Sequence, residues 1–409
     1  MDIPGLPARR AALRLLDAVL HRGETLDQAG HNACQGIVGG PDRALALALA
    51  AESLRWMTDL DNLIDSATRL PLAPDAKVRS VLRIMLAGWL RLDTPPHAVI
   101  ATALPLLVGG PKRLAHGVFS TLTKQDVKLP KHPSLPPHVA ERWGEAGDAI
   151  AEGLSVPPPL DLTLRDPATS AEWAEKLGGV SLMPGHVRLP RGGAIENLEG
   201  FNEGVWWVQD LAASLPARLL GHGEGRTVLD LCAAPGGKTL QLATAGWQVT
   251  ALDSSAKRLE RMAENLTRIC VTAELVTADV LEWEPEAKFD AVLLDAPCTA
   301  TGTCRRHPDV LHRITDRHIA EMAELQGQFL ARAASWVKPG GQLVYAVCSM
   351  EPEEGEEQAR AVTLTPDPIR ADELPDTVEP TSEGWLRTDP GMLKWSGGLD
   401  GFFVARWRA

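Results

Sequence analysis

Two hydrophobic rhythms divide the chain. Over the first third, apolar side chains recur at three- and four-residue spacing. Val78, Val81, Leu82, Met85, Leu86, Trp89 and Leu90 form one such stripe, the pattern of a helix with one face in a core. Similar segments near 8–21, 42–56, 96–108 and 112–124 predict an all-helical region, with Pro41 and Pro111 suited to first-turn positions. Pro130, Pro133, Pro136 and Pro137 mark a linker at about 129–137; a helical stretch follows to about Leu154, and Pro157-Pro158-Pro159 then break the chain. Beyond them the rhythm changes. Leu160 to Arg165 reads as a strand. Further strands are predicted through Val228 and over Gln248–Leu252, Glu274–Ala278, Phe289–Leu294 and Gln342–Val347. Short apolar runs alternating with helical stretches predict a parallel sheet flanked by helices. No internal repeat or low-complexity tract is present.

The polar residues that end these runs carry the chemistry. Asp230, Asp253, Asp279 and Asp295 close four successive predicted strands. A single terminal acid is ordinarily a helix N-cap. Four in register point to the ligand-binding edge of an open α/β sheet, at the carboxyl ends of its strands. Between the first two acids runs Leu231-Cys232-Ala233-Ala234-Pro235-Gly236-Gly237-Lys238-Thr239, a glycine-bearing turn opening a helix over about Leu240–Gly246. Such a turn presents backbone N–H groups to a ligand, and its glycines are expected to let that ligand approach closely. The stretch is not a phosphate-binding P-loop, because Cys232 stands where that motif needs glycine; G-x-G-x-x-G is absent too. Asp253 lies 23 residues after Asp230, where a nucleotide-type fold places a carboxylate on ribose hydroxyls.

Length and charge refine this outline. A chain of 409 residues has room for two or three domains. The net charge is −12, yet residues 1–135 hold 16 Lys/Arg against 12 Asp/Glu, a net +4, while the remainder carries −16. The positive excess lies where a phosphate-contacting module is expected. Six cysteines without framework spacing suit a reducing compartment, and no C-x-x-C pair suggests zinc. Met1-Asp2-Ile3-Pro4-Gly5-Leu6-Pro7 shows no signal-peptide pattern, and no apolar run approaches the ~20 residues that span a bilayer. The glutamate run Glu351–Glu357 reads as a solvated face.

Two further blocks decide the family resemblance. The fourth acid opens Asp295-Ala296-Pro297-Cys298-Thr299-Ala300-Thr301-Gly302-Thr303-Cys304-Arg305-Arg306, and the fifth strand runs into Cys348-Ser349-Met350-Glu351-Pro352-Glu353-Glu354. With Gly204-Val205-Trp206-Trp207-Val208-Gln209-Asp210 upstream and Asp400-Gly401-Phe402-Phe403-Val404-Ala405 downstream, these blocks resemble the RsmB (Fmu/Sun) family of ribosomal RNA 5-methylcytosine methyltransferases. The resemblance covers about 160–409 strongly and the N-terminal third more loosely. Gly117-Val118-Phe119 stands where relatives carry Asn-Gly-Val-Leu-Arg, with His116 before the glycine and Ser120 in the arginine position. Leu164-Arg165-Asp166-Pro167 stands where they carry Leu-Arg-x-Asn.

The resemblance implies an α/β fold: a Rossmann-like class I methyltransferase domain with a mostly parallel seven-stranded sheet, preceded by an all-α NusB-like domain. The expected divisions are a NusB-like RNA-binding domain over 1–128, a linker with helix over 129–159, a small α/β RNA-binding subdomain over 160–204 and the methyltransferase domain over 205–409. It implies S-adenosyl-L-methionine as cofactor, bound by Cys232, Ala233, Ala234, Pro235, Gly236, Gly237, Lys238, Asp253, Arg258, Asp279 and Asp295. It implies ribosomal RNA as partner, no membrane, a monomer and a cytoplasmic location.

Methylating cytosine C5 requires a nucleophile, since a thiolate adding at C6 makes C5 electron-rich. Cys298 and Cys348 both sit at strand ends. In DNA cytosine methyltransferases the attacking cysteine follows a proline, as Cys298 follows Pro297. In the RNA family that the chain resembles it is the later one, which implies Cys348 as nucleophile and Cys298 as the group resolving the adduct. Asp295 is expected on the base's N3/N4 edge with Lys238 as its charge partner. Cys34 and Cys270 read as small buried hydrophobes, Cys232 as packing within the cofactor loop, and Cys304 as part of a loop near RNA. A transfer RNA or other ribosomal target, and a non-catalytic RNA-binding assembly factor, are the alternatives.

Overall fold

The computed structural model describes residues 3–409; Met1 and Asp2, the start of the stretch read for a targeting signal, lie outside the described residues. The chain forms two compact units. One runs to Val156 and includes Cys304–Ile314; the other holds Pro157–Thr303 and Thr315–Ala409.

The first unit is helical: α1 (Leu6–Arg22), α2 (Leu26–Ala33), α3 (Gly40–Arg55), α4 (Met57–Ser66), α5 (Lys77–Leu90), α6 (Pro96–Ala103), α7 (Gly109–Lys124), α8 (Pro137–Trp143) and α9 (Gly147–Gly153). The stripe read from the sequence is the buried face of α5: Val81, Leu82, Met85 and Leu86 pack with Trp56, Leu60 and Phe119. The short helices α2 and α4 lacked a long enough stripe to announce themselves; α2 is nucleated by a reciprocal cap between Thr25 and Gln28. The helix expected over 96–108 ends at Ala103, where Pro105 enters a 3-10 turn.

Two expectations change in this unit. Residues 129–156, read largely as linker, group with the helices. Residues 304–314 join them, and Cys304, placed near RNA by the sequence reading, is wholly buried. The segment is tied down by main-chain carbonyls: Arg55 donates to Arg305 O at 2.8 Å, and His312 Nε2 lies 2.8 Å from Leu54 O. Cys34 is buried as expected.

The second unit begins with β1 (Leu160–Leu164), α10 (Ser170–Leu177), β2 (His186–Leu189) and β3 (Trp206–Val208). These strands make a three-stranded antiparallel sheet in the order β2-β1-β3. Trp206 and Trp207, assigned by sequence to the following domain, belong to this sheet because β3 pairs with β1. Asp161, buried at the sheet's centre, receives a bidentate pair from Arg188 and is held well below the usual carboxylate range, Arg188 and the nearby His186, 3.3 Å away, overcoming burial.

The main sheet follows: α11 (Leu211–Arg218), β4 (Thr227–Leu231), α12 (Gly237–Thr244), β5 (Gln248–Asp253), α13 (Ala256–Ile269), β6 (Glu274–Thr277), β7 (Phe289–Asp295), α14 (Asp316–Ser335), β8 (Val337–Val347), α15 (Glu356–Ala361), β9 (Thr365–Pro366), β10 (Leu386–Thr388) and β11 (Phe402–Arg408). Strand order is β10-β11-β8-β7-β4-β5-β6, parallel from β8 to β6 and antiparallel at β11 and β10. The path holds the seven expected strands. An eighth, the two-residue β9, pairs with β11, so the sheet has eight strands. The central strands read as unbroken apolar runs because both faces are covered; Val292, Leu293 and Leu294 are wholly buried. Their carboxyl ends define one edge, and the order reverses at β4, between β5 and β7.

Candidate active site

At that edge the chain closes a cavity of about 450 Å³, within the range of small-molecule sites. It is lined from β4 by Cys232 and Ala234, from β5 by Asp253 and Ser254, and from beyond β6 by Asp279. Asp295, Pro297 and Cys298 line it after β7, and Cys348 after β8. Leu325 and Phe329, one turn apart on α14, add an apolar wall. No motif announced this last pair, since a helical i, i+4 spacing describes any core face.

The loop after β4 is built from both ends. Asp253 is 2% exposed, and its carboxylate accepts from Ala234 N at 3.1 Å and Ser255 N at 2.9 Å. Arg258 lies 3.5 Å from the same carboxylate and also donates to Ala234 O. The glycines of this loop are also closely packed. Gly236 has φ of 104°, and a Cβ there would stand 2.6 Å from Met262 Cγ; one on Gly237 would stand 3.3 Å from Gln209. Backbone conformation and Met262 require glycine at 236, Gly237 is tightly flanked by Gln209, and neither lines the cavity. Ala233, Pro235 and Lys238 do not line it either; of the predicted cofactor residues, the cavity gathers Cys232, Ala234, Asp253, Arg258, Asp279 and Asp295.

The acids differ in role. Asp279 caps the next turn, accepting from Leu281 N at 2.8 Å. Asp230 is set back from the cavity inside β4, wholly buried, with Thr239 Oγ1 at 2.6 Å and its other oxygen unpartnered. Burial, with Asp295 and Asp253 nearby, pushes its carboxyl up to about 7 against the pull of Thr239 and Lys238. Asp295 pairs with Lys238, Nζ to Oδ2 at 2.7 Å, and the ammonium sits 5.4 Å from the Phe402 ring centroid.

The two strand-end cysteines meet: Cys298 Sγ and Cys348 Sγ are 3.4 Å apart. The Cys298 thiol is pushed well above its ordinary value, first by its hydrogen bond with Cys348, then by burial and by the charges of Cys348 and Glu354. Burial also raises the Cys232 thiol, an inert packing position. Cys270, read as buried, is exposed; it ends α13 in the left-handed conformation with φ of 59°. The glycines of two matched blocks support the cysteine loops. Gly302 N donates to Cys348 O at 3.0 Å, and Gly401 N to Gly302 O at 2.8 Å, an approach no Cβ on Gly302 would permit. Among the described residues no three His, Cys, Asp or Glu side chains are arranged to hold a metal ion.

A helical unit and a doubly wound sheet with a cavity lined by strand-end acids and cysteines at its switch point define a methyltransferase architecture with an N-terminal NusB-type domain, and comparison with known proteins supports this. Residues 217–408 match the 16S rRNA methyltransferase RsmB/F family, and residues 6–108 match the NusB family. Ribosomal RNA small subunit methyltransferase B of Klebsiella pneumoniae is 35% identical over 97% of both chains. The chain therefore belongs to the RsmB/F family of 16S rRNA methyltransferases. Among solved structures, PH0851 shares the fold at a TM-score of 0.74 and 22% identity, covering 100% of both chains. A methyltransferase homolog protein from Pyrococcus horikoshii gives 0.54 at 26% identity, covering 71% of this chain and 97% of its own. No helix among the described residues is long and apolar enough to cross a membrane.

Proposed function

We propose that this protein methylates C5 of a cytosine in 16S ribosomal RNA, using S-adenosyl-L-methionine and a covalent Cys348–C6 adduct. The carrying observation is the pair of thiols 3.4 Å apart on the wall of the cavity that also presents Asp253, Asp279 and Asp295. A cytosine needs one thiol to add at C6 and a second group to take the C5 proton before the first thiol leaves.

The cavity residues suit the cofactor. Its acidic walls match a ribose and a cationic sulfonium, and Asp253 keeps acceptor lone pairs beyond the two N–H groups it already receives. Asp253 and Asp279 hold the cofactor's nucleoside part, with Cys232, Ala234 and Arg258 beside them; when bound, it supplies an activated methyl group. The protein's own residues do the rest. Leu325 and Phe329 exclude water. Asp295, kept in place by Lys238, accepts from the base's amino edge and fixes C5 toward the methyl donor. Cys348 attacks C6 of a base turned out of its stack. Cys298 removes the C5 proton, C5–H electrons restore the ring double bond, and the Cys348 sulfur leaves with its bonding pair. The protein works on RNA as a cytoplasmic monomer, with the helical unit adding phosphate contacts.

Denaturing gels with 16S ribosomal RNA and cofactor test the assignment. Cys348→Ala should abolish both methyl transfer and conjugate. Cys298→Ala should accumulate a denaturant-stable protein–RNA conjugate. A conjugate in Cys348→Ala with none in Cys298→Ala would transfer the nucleophile to Cys298. Bisulfite mapping of ribosomal RNA from cells with and without the protein locates the target.

A further inference from the structure

Behind the cysteine pair lies a carboxylate that the reaction scheme leaves unused. Glu354 is wholly buried. Its Oε1 accepts from Thr299 N at 2.9 Å and from Gln326 Nε2 at 3.0 Å. Its Oε2 accepts from Thr299 Oγ1 at 2.5 Å and from Ser349 Oγ. Thr299 follows Cys298 and Ser349 follows Cys348, so one side chain grips both cysteine loops. Gln326 extends the grip, since its amide also donates to Pro297 O at 2.8 Å. The glutamate is itself pinned, because Tyr345 Oη donates to its main-chain carbonyl at 2.5 Å.

Four donors converge on this group and no ion pair reaches it among the described residues, an arrangement that satisfies a carboxylate and none of its neutral substitutes in full. Bare structural need does not explain it. An apolar side chain with apolar partners fills a core at less desolvation cost than a charge does. The network joins the loops after β7 and β8 to α14 directly behind the cysteines.

We propose that Glu354 is a positioning residue for the methyl-transfer chemistry: it locks the two cysteine loops at their working separation and places its carboxylate on the Cys298 side of the pair. The inference rests on the functional reading above. It gives a physical reason why two neighbouring thiols act in different steps. The hydrogen bond with Cys348 and burial hold Cys298 protonated, and the Glu354 charge beside Thr299 adds to them; once Cys348 is bonded to C6 that hydrogen bond is gone, and Cys298 gives its proton to water before its sulfur takes the one from C5.

The test labels the full-length chain with iodoacetamide, without RNA or cofactor, and reads Cys298 and Cys348 separately by peptide mass spectrometry. Cys348 should label faster in the wild type. Glu354→Gln removes the charge while keeping the side chain's size, so the Cys298:Cys348 rate ratio should rise about tenfold, the thiolate gain for one pKa unit. An unchanged ratio in a chain that melts like the wild type overturns the proposal. Thr299→Val, which keeps the charge and cuts one arm of the grip, covers the case in which Glu354→Gln does not fold. It should leave the labelling ratio within about twofold, a shift of under half a pKa unit, while kcat falls about tenfold at unchanged KM. Unaltered kcat in Thr299→Val overturns the positioning role. If the wild-type chain transfers no methyl to RNA, the functional reading fails, and the labelling ratio still decides whether Glu354 sets the two thiols apart.

Discussion

The two units treat charge in opposite ways. In the helical unit, cations are buried and matched. Arg79 and Arg83, each 4% or less exposed, face Asp61 and Asp65, and Arg55 and Arg91 share Glu52. In the sheet unit Asp161 is matched in the same way by Arg188, but three buried acids at or behind the cavity edge are under-matched. Asp230 meets a hydroxyl, Glu354 meets four neutral donors, and Asp253 has one guanidinium at 3.5 Å. The first pattern stabilises a bundle and neutralises itself. The second gathers acids at one edge of a sheet, which on the proposed function a cationic cofactor and a proton-transferring thiol would use. The net charges of the two regions anticipated this polarity but not which residues express it. In the helical unit the excess is carried by exposed Arg10, Arg14, Arg69, Lys77, Lys112, Arg113 and Lys124, for which no carboxylate partner is seen among the described residues.

The comparison breaks most sharply at Asp295, the cavity acid that is paired with a lysine. Asp295→Asn and Lys238→Met each dissolve the 2.7 Å pair, and each should lower turnover by about 10²–10⁴-fold, the scale of a lost catalytic proton or charge partner. Melting temperatures should change little, since Asp295 is partly open to the cavity. Single-turnover assays that find wild-type rates in both variants would reduce the pair to a strut.

Asp230 sharpens the contrast through pH. Its carboxyl sits near 7 in the folded chain against about 3.8 unfolded, so the native state holds the proton more tightly. Its contribution to stability is complete below about pH 4 and is lost as pH rises through 7. Asp230→Asn cannot titrate. Its stability relative to the wild type should therefore be higher at pH 8.5 than at pH 4 by about 2–4 kcal/mol, whatever constant cost the amide carries. Paired denaturant titrations at the two pH values give the difference; no difference would mean that Asp230 is ionised without penalty. Asp253→Ala should have a smaller effect, weakening cofactor binding by about 1.5–3 kcal/mol through loss of a charged acceptor. Calorimetry with unchanged affinity would remove Asp253 from the site.

What was legible follows the same division. The parallel strands were readable because burial on both faces turns each into a short apolar run, and the acids and cysteines at their ends mark one edge of the sheet. The α5 stripe was readable for a similar reason. Burial of Cys304 was not, because the segment 304–314 leaves the sheet's own sequence context and packs among helices distant in the chain. Nor was Glu354. Its run of glutamates looks like a solvated face, yet Glu351 and Glu354 are wholly buried. Only the folded chain brings residues 299, 326, 349 and 354 together, and no spacing rule encodes that meeting. For the glycines of the cofactor loop, sequence could not separate demand from a ligand from the steric demand that Met262 and Gln209 make on Gly236 and Gly237.

The smallest predicted effect tests the helical unit's side of the comparison. If its exposed cations serve RNA, they act through phosphates and their effect scales with counterion release. Lys112 and Arg113, adjacent near the start of α7, are both exposed, and neither has a carboxylate partner among the described residues. Lys112→Gln with Arg113→Gln should leave the fold and cofactor affinity unchanged. The slope of log K for RNA against log salt should become shallower by about 1.4–1.8 if both contact phosphate, at roughly 0.7–0.9 per contact. The same double change should weaken binding to unrelated RNA of equal length by a similar factor, because phosphate contacts carry no base information. Filter-binding titrations from low to moderate salt measure both quantities. A slope identical to the wild type's would show that this part of α7 does not meet RNA, and the positive excess would then have to act through Arg10, Arg14, Arg69, Lys77 or Lys124, whose replacement in the same assay would locate it.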